Sequence, residues 1–346
     1  MRKSVKLADD ARKAYLAEEG AKIRDPTATM ATTKEVFVAL SLGPFGSVVQ
    51  PPQDFDGLYP PPFGPKGPSE DGLGNTRLFS SSVAEGSSSE EQKAIEALAQ
   101  FHLWRLHAVA SDPETWNSID YVAFETVPHL REVRAIKLAM EKFDGDAAAA
   151  AAATRARLGG GSTEVTGISR LRGWWISLVF PNGEESAQWS HKEREHQTRG
   201  LLTLPTPTPD QTEILNVVLD PKIGAVPTGL GLNCTRIDQY PSILSSILSN
   251  SNSTELGAGK KTPPVPLTLV VYPNGGRSGD IFDPLTHRWK NDGRPRPDGR
   301  NLTWEEEVVD IVRQYRDGWK DIIVGGCCRV YPPQIKKLRE KVDQVL

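Results

Sequence analysis

The sequence predicts an α/β fold of the (β/α)8, TIM-type barrel class, with about six of the eight strands legible. Three observations predict it. Short apolar runs alternate with amphipathic helical stretches, as repeated βα units around a parallel sheet require. Nearly every apolar run ends in a polar or reactive cluster, namely "GPFG", "ETVP", "FPNG", "NCT", "YPNGG" and "GGCC". Barrel enzymes gather their chemistry at the C-terminal ends of many strands. The length, 346 residues, could hold two ordinary domains, and an α/β barrel uses a comparable length as one. A doubly wound sheet fits the alternation equally, and the loaded strand ends are what favour the barrel.

The elements follow in order. Residues 1–24 read as an amphipathic helix rich in Ala, Lys and Glu. "EVFVALSLGPFG" (35–46) is a short apolar run stopped by Gly-Pro and Gly, which marks a buried strand. Residues 47–90 are dense in Pro, Gly and Ser and read as a long surface-loop insertion. "EEQKAIEALAQFHLWRLHAVA" (90–110) returns to helical spacing, "IDYVAFETVP" (119–128) is the next strand, and "HLREVRAIKLAMEKF" the next helix. The alanine-rich tract that follows reads as a second insertion, at about 144–170, within a single domain covering 1–346. Strands resume with "GWWISLVFPNG" (173–183), "PTGLGLNCT" (227–235), "PLTLVVYPNGG" (266–276) and "KDIIVGGCCR" (320–329). "SILSSILSN" and "TWEEEVVDIVRQYRDGW" are helix candidates between them.

Composition excludes several classes of function. Lys and Arg number 41 against 44 Asp and Glu, a net charge of −3, so there is no basic footprint for nucleic acid or an anionic membrane. Three cysteines in a long chain make no disulfide framework and fit a reducing compartment. The N-terminus lacks the apolar core of a signal peptide and carries too many acids for a transit peptide. No apolar stretch approaches the roughly 20 residues that span a bilayer. A soluble, cytoplasmic protein is expected.

The cysteines carry the chemistry. Cys327 and Cys328 are adjacent, directly after an apolar run and a glycine pair, and Cys234 ends another apolar run. Closing the strands into a ring brings the three together, and three thiolates converging on one point suit zinc with a fourth position open. Buried small residues, or a vicinal redox disulfide, are the other readings of the same dipeptide. Glu125, at a strand end after apolar residues, is a site candidate, and otherwise a solvated or capping acid. Asn233 and Asn274 are equally strand-end site residues or turn residues. "HKEREH" has the wrong spacing for a helical zinc motif, and "LGGGST" lacks the lysine of a phosphate loop.

Taken together, these motifs resemble the homocysteine S-methyltransferase family. The resemblance rests on "SLGPFG", "YVAFETVP", "GLNC", "VVYPNGG" and "VGGCCR", in family order at predicted strand ends, over roughly residues 35 to 341. It implies a (β/α)8 barrel and one zinc ion held by Cys234, Cys327 and Cys328. The implied reaction is methyl transfer to the sulfur of homocysteine, forming methionine. Glu125 would hold the substrate amino group, with Gly43, Ser177 and Asn233 lining the pocket. The donor is S-methylmethionine or S-adenosylmethionine in one branch and betaine in another. The chain ends one helix after "GGCCR", which points to a sulfonium donor. No organic cofactor beyond the donor is implied.

Two family segments are missing. An opening strand with an Asp-Gly-Gly…Thr…Leu-Glu signature and a second with Thr…Tyr…Ala are not found, so the chain is expected to lack the N-terminal part of the barrel. Losing two adjacent staves leaves two exposed parallel edges. The zinc-dependent methyltransferase is the first reading. A truncated or degenerate member that binds zinc or a partner without turnover is the second. A cysteine redox protein, the third, predicts a reversible Cys327–Cys328 disulfide and no metal.

Overall fold

The structure, a computed structural model, describes residues 1–23, 35–55, 57–66, 79, 87–157, 173–180, 213–249, 254–256, 260–263, 265–275, 280–283, 288–291 and 302–344. Helix α1 (Arg2–Ile23) leads into β1 (Ala39–Leu42). Helices α2 (Ser87–Ala110) and α3 (Pro113–Asn117) precede β2 (Tyr121–Val127). Helix α4 (Leu130–Arg157) is followed by β3 (Gly173–Leu178), and α5 (Glu213–Leu219) by β4 (Gly229–Asn233). Next come α6 (Tyr240–Ser249), a ribbon of β5 (Thr254–Leu256) and β6 (Lys260–Thr262), and β7 (Thr268–Tyr272). A second ribbon, β8 (Asp280–Asp283) and β9 (Arg288–Asn291), is followed by α7 (Trp304–Tyr315), β10 (Asp321–Val324) and α8 (Pro332–Asp343).

Each of the six predicted strands forms, and together they make one parallel sheet in the order β1-β2-β3-β4-β7-β10. That order follows the chain without reversal. A doubly wound sheet would reverse at a switch point, so the strand order is consistent with a TIM-type fold. The sheet is not closed: β1 and β10 are its edges among the described residues.

Alternation along the strands separates two faces. Val122, Phe124, Trp174, Ile176, Leu230, Leu232, Leu269 and Val271 join the main core under the helices. Ala123, Trp175 and Val270 form a smaller cluster on the opposite face, with Tyr121 and Tyr272 against it. The edge strands are thinly covered, β1 alternating exposed and buried and β10 exposed and half-buried. Helix α7 begins where the sequence dictates. Thr303 Oγ1 accepts from the Glu306 N–H, and the Glu306 carboxylate accepts from the Thr303 N–H, a reciprocal capping box.

Two sequence expectations change in the structure. The alanine tract, expected inside an insertion, continues α4 without a break to Arg157. Alanine has the strongest intrinsic helix preference, and the preceding turn is already formed. Residues 158–170, with "LGGGST", and the "HKEREH" segment at 191–196 lie outside the described residues. The Pro-rich stretch after β1 is not all surface, because Tyr59 is fully buried and its ring packs edge-on against Phe45.

A buried carboxylate explains why that stretch packs inward. Glu132, on α4, is fully buried and accepts from the Phe45 N–H at 2.7 Å, the Tyr59 hydroxyl at 2.6 Å and His102 Nε2 at 3.0 Å. Arg105 Nη1 adds a bond to the Gly43 carbonyl at 2.6 Å. Together these hold the loop after β1 against α2 and α4. Lys137, also on α4 and fully buried, donates to the carbonyls of Val217, Val218 and Asp220 at 2.6–2.9 Å, tying α4 to the end of α5. Among the described residues no helix is long and apolar enough to cross a membrane.

Candidate metal centre

Three strand ends are stitched together by main-chain hydrogen bonds. Asn274 N–H, after β7, donates to the Thr235 carbonyl after β4. Cys327 N–H, after β10, donates to the Pro273 carbonyl, and Gly275 N–H returns a bond to the Cys328 carbonyl. Trp304 Nε1 at the start of α7 braces the middle loop through the Asn274 carbonyl at 3.0 Å. Gly326 is required here, because a Cβ at that position would collide with Val330.

This stitching delivers the cysteines. Cys234 Sγ lies 2.7 Å from Cys327 Sγ and 4.0 Å from Cys328 Sγ, and the three sulfurs all lie within 4.8 Å of one another. They are not in disulfides. A tetrahedral ion with metal–sulfur bonds of about 2.3 Å sets its sulfurs about 3.8 Å apart, so small adjustments seat one. Proton chemistry points the same way. Hydrogen bonds from Cys234 and Cys327 bring the Cys328 thiol down to about 3. Hydrogen bonds to Cys327 and Cys328, burial and the neighbours' charge hold Cys234 far above the thiol range. One thiolate forms readily and three do not coexist without a cation, so the donor set fits a divalent metal such as zinc.

The neighbouring carboxylate stands on the same end of the sheet. Glu125 lies where the register of β2 against β3 shifts, between Phe124 and Val127, an irregularity that re-aims side chains. Ser41 Oγ donates to its Oε2, and the Tyr272 hydroxyl is a further partner. Burial is the main cause of the rise in its pKa above the usual carboxylate value. Ser41 and Tyr272 oppose that rise, and the charge of Cys327 adds to it. Glu125 is therefore near enough to Cys327 to feel its ionisation.

The expected pocket residues divide. Ser177 is buried and accepts from the Tyr272 hydroxyl at 2.5 Å, which places it in the Glu125 layer. Gly231 beside it is small of necessity, since a Cβ there would strike Ser177 and Val270. Asn233 is buried, and its amide is engaged by Thr126 and the sulfurs. Gly43 sits two residues beyond Ser41, with its carbonyl held by Arg105. Asn274 has its Oδ1 buried without a hydrogen-bond partner among the described residues, beside the cysteine loop.

Sequence reasoning missed Thr126, Ser41 and Tyr272. Thr126 has φ 60°, Cys234 φ 50° and Arg329 φ 64°, and these are the non-glycine residues with positive φ among the described residues. All three border the cysteine cluster, and such backbone strain gathers at functional sites. Tyr272 was legible in principle, since its parity with Val270 places it on the inner face of β7.

The family described as Homocysteine S-methyltransferase matches residues 1–342. Among curated relatives, a betaine-homocysteine S-methyltransferase from Drosophila melanogaster is 24% identical over 347 residues, covering 99% of this chain and 70% of the relative. A homocysteine S-methyltransferase from Escherichia coli is 23% identical over 339 residues, covering 98% of this chain and 70% of the relative. Homocysteine S-methyltransferase 3 of Arabidopsis thaliana is 22% identical over 309 residues, 89% of this chain but only 58% of the relative. No solved structure matches the chain.

Proposed function

The chain belongs to the homocysteine S-methyltransferase family, and from that premise we propose that it moves a methyl group from a sulfonium donor, S-methylmethionine or S-adenosylmethionine, to homocysteine. The observation that carries this reading is the convergence of Cys234, Cys327 and Cys328 at one end of the sheet, with Glu125 close to Cys327. The three cysteines would hold zinc. Zinc, when bound, lowers the pKa of the homocysteine thiol so that it reacts as a thiolate.

The remaining residues bind and orient. The Glu125 carboxylate, with Ser41 and Tyr272 fixing its direction, pairs with the homocysteine ammonium. Ser177 and Tyr272 fill the wall beside it. The thiol releases its proton to solvent as homocysteine binds, and its sulfur then attacks the donor methyl carbon in line. The new S–CH3 bond forms as the sulfonium S–CH3 bond breaks, and the bonding pair stays on the donor sulfur, which leaves as a neutral thioether. Positive charge disappears in that step. A site screened from water therefore favours the transition state, and the Trp175, Val270 and Tyr272 surface beneath the carboxylate supplies the screen.

The open sheet supports a second reading, a family member that binds zinc without turnover, since β1 and β10 remain unpaired edges among the described residues where a (β/α)8 barrel would be closed. One experiment separates the two. Zinc per chain is measured by elemental analysis with and without homocysteine, followed by a donor screen with S-methylmethionine, S-adenosylmethionine and betaine. About one zinc, held more tightly with homocysteine, and turnover with a sulfonium support the enzyme. Zinc without turnover supports the second reading, turnover with betaine alone overturns the donor, and full zinc in Cys234→Ser removes the cysteine site.

A further inference from the structure

Asn233 is 2% exposed, and every polar atom of its side chain is engaged. Its Oδ1 accepts from the Thr126 N–H at 2.8 Å, and its Nδ2 donates to Thr126 Oγ1 at 2.7 Å. The same Nδ2 lies 3.3 Å from Cys234 Sγ and 3.9 Å from Cys327 Sγ. A main-chain N–H only donates, so the amide oxygen must face Thr126 and the NH2 must face the sulfurs. Thr126 is held at φ 60°, a conformation that costs a β-branched residue about 1–3 kcal/mol. The reciprocal pair with Asn233 is what holds it there. Cys234 follows Asn233 directly and is itself at φ 50°. Aiming of the amide and aiming of the thiol are therefore one structural event.

We infer that Asn233 is a positioning residue of the thiolate cluster: Thr126 takes one amide N–H and holds the other so that it is shared between Cys234 and Cys327; this rests on the metal reading above. An N–H bond to an ionised sulfur is charge-assisted and draws electron density from it. Two protein thiolates are thereby made poorer nucleophiles, while a substrate thiol entering the open position receives no such bond. The device directs the methyl group to homocysteine and away from the protein's own cysteines.

The test uses the full chain loaded with zinc or cobalt(II), in the wild type, Asn233→Asp and Thr126→Gly. Asn233→Asp keeps the shape and sets a carboxylate oxygen against the sulfurs in place of the NH2. Its zinc Kd, from chelator competition, is expected to rise about 10–100-fold, the usual effect of losing an outer partner of a metal ligand. Its cobalt–thiolate charge-transfer band is expected to move to longer wavelength, a change that altered packing alone would not produce. Thr126→Gly relieves the backbone and removes Oγ1, and it decides the matter if Asn233→Asp does not fold. Its thermal midpoint is expected to hold or rise while its zinc Kd also rises. A wild-type chain without a thiolate charge-transfer band overturns the metal reading and this inference with it. Variants that match a cobalt-binding wild type in Kd and band position overturn the inference alone.

Discussion

Replacing Glu132 with alanine removes the acceptor shared by the Phe45 N–H, the Tyr59 hydroxyl and His102 Nε2, all in a region with no solvent access. An orphaned buried donor costs about 1–3 kcal/mol, so the loss of three places the penalty at roughly 3–9 kcal/mol. For a domain of this size that lowers the thermal midpoint by roughly 4–12 °C. Glu132→Gln keeps one acceptor oxygen and is expected to cost roughly half as much. The pair can be separated by pH. Burial alone would raise the pKa of Glu132, but the His102 hydrogen bond, the charges of His102 and His129 and the Tyr59 hydroxyl outweigh it and bring the carboxyl to about 2. A folded-state pKa lowered from 4.5 to about 2 corresponds to roughly 3 kcal/mol, present above about pH 4.5 and lost as the pH falls toward 2. His102 is depressed mainly by burial, so it also resists protonation in the folded state, and acid acts on it in the same direction. Arg105 and Arg131, the other charges facing the group, stay cationic throughout. The assay is urea unfolding followed by circular dichroism at pH 7 and pH 3.5. An alanine variant within about 1 kcal/mol of wild type, or a wild-type advantage over Glu132→Gln that does not shrink in acid, refutes the reasoning.

Three further outcomes are expected. Glu125→Gln, which loses the charge facing the substrate ammonium, raises the KM for homocysteine about 10–100-fold while leaving zinc content unchanged. Because burial raises the pKa of Glu125, homocysteine affinity in the wild type begins to fall with acidification above the ordinary carboxylate range, and a flat profile down to pH 4 would contradict this role. Lys137→Met strips from the carbonyls of Val217, Val218 and Asp220 the ammonium that donates to all three. It should lower stability by about 2–4 kcal/mol in urea, and an unchanged midpoint would show that the ammonium is not capping α5.

The sheet was legible because its signal is local. "GWWISL" is buried at every position of β3, and each strand ends at the predicted polar cluster. The cysteine cluster was legible for the same reason, since Cys234, Cys327 and Cys328 stand at strand ends and a strand-end address is readable from the chain. What stayed hidden was set by distant partners. Glu132 occupies a helical pattern in which an acid ordinarily faces water, and its donors come from residues 30 to 87 positions away. The alanine tract misled by composition, low complexity suggesting a loop where propensity makes a helix. The positive φ of Thr126 leaves no mark at all, because nothing in "FETVP" announces a left-handed threonine.

The parentage of the three sulfurs has a consequence for assembly. A chain made from its N-terminus has β1 to β7 available to pair, neighbour upon neighbour, before β10 is synthesised. Cys234 waits 93 positions for its first sulfur partner. β10, short and half-exposed, hangs on β7 alone among the described strands. A metal captured by Cys234 together with Cys327 and Cys328 would rivet this last-arriving edge to the middle of the wall. Metal capture would then report that β10 has joined the sheet, and a protein starved of the ion would lose β10 from it first.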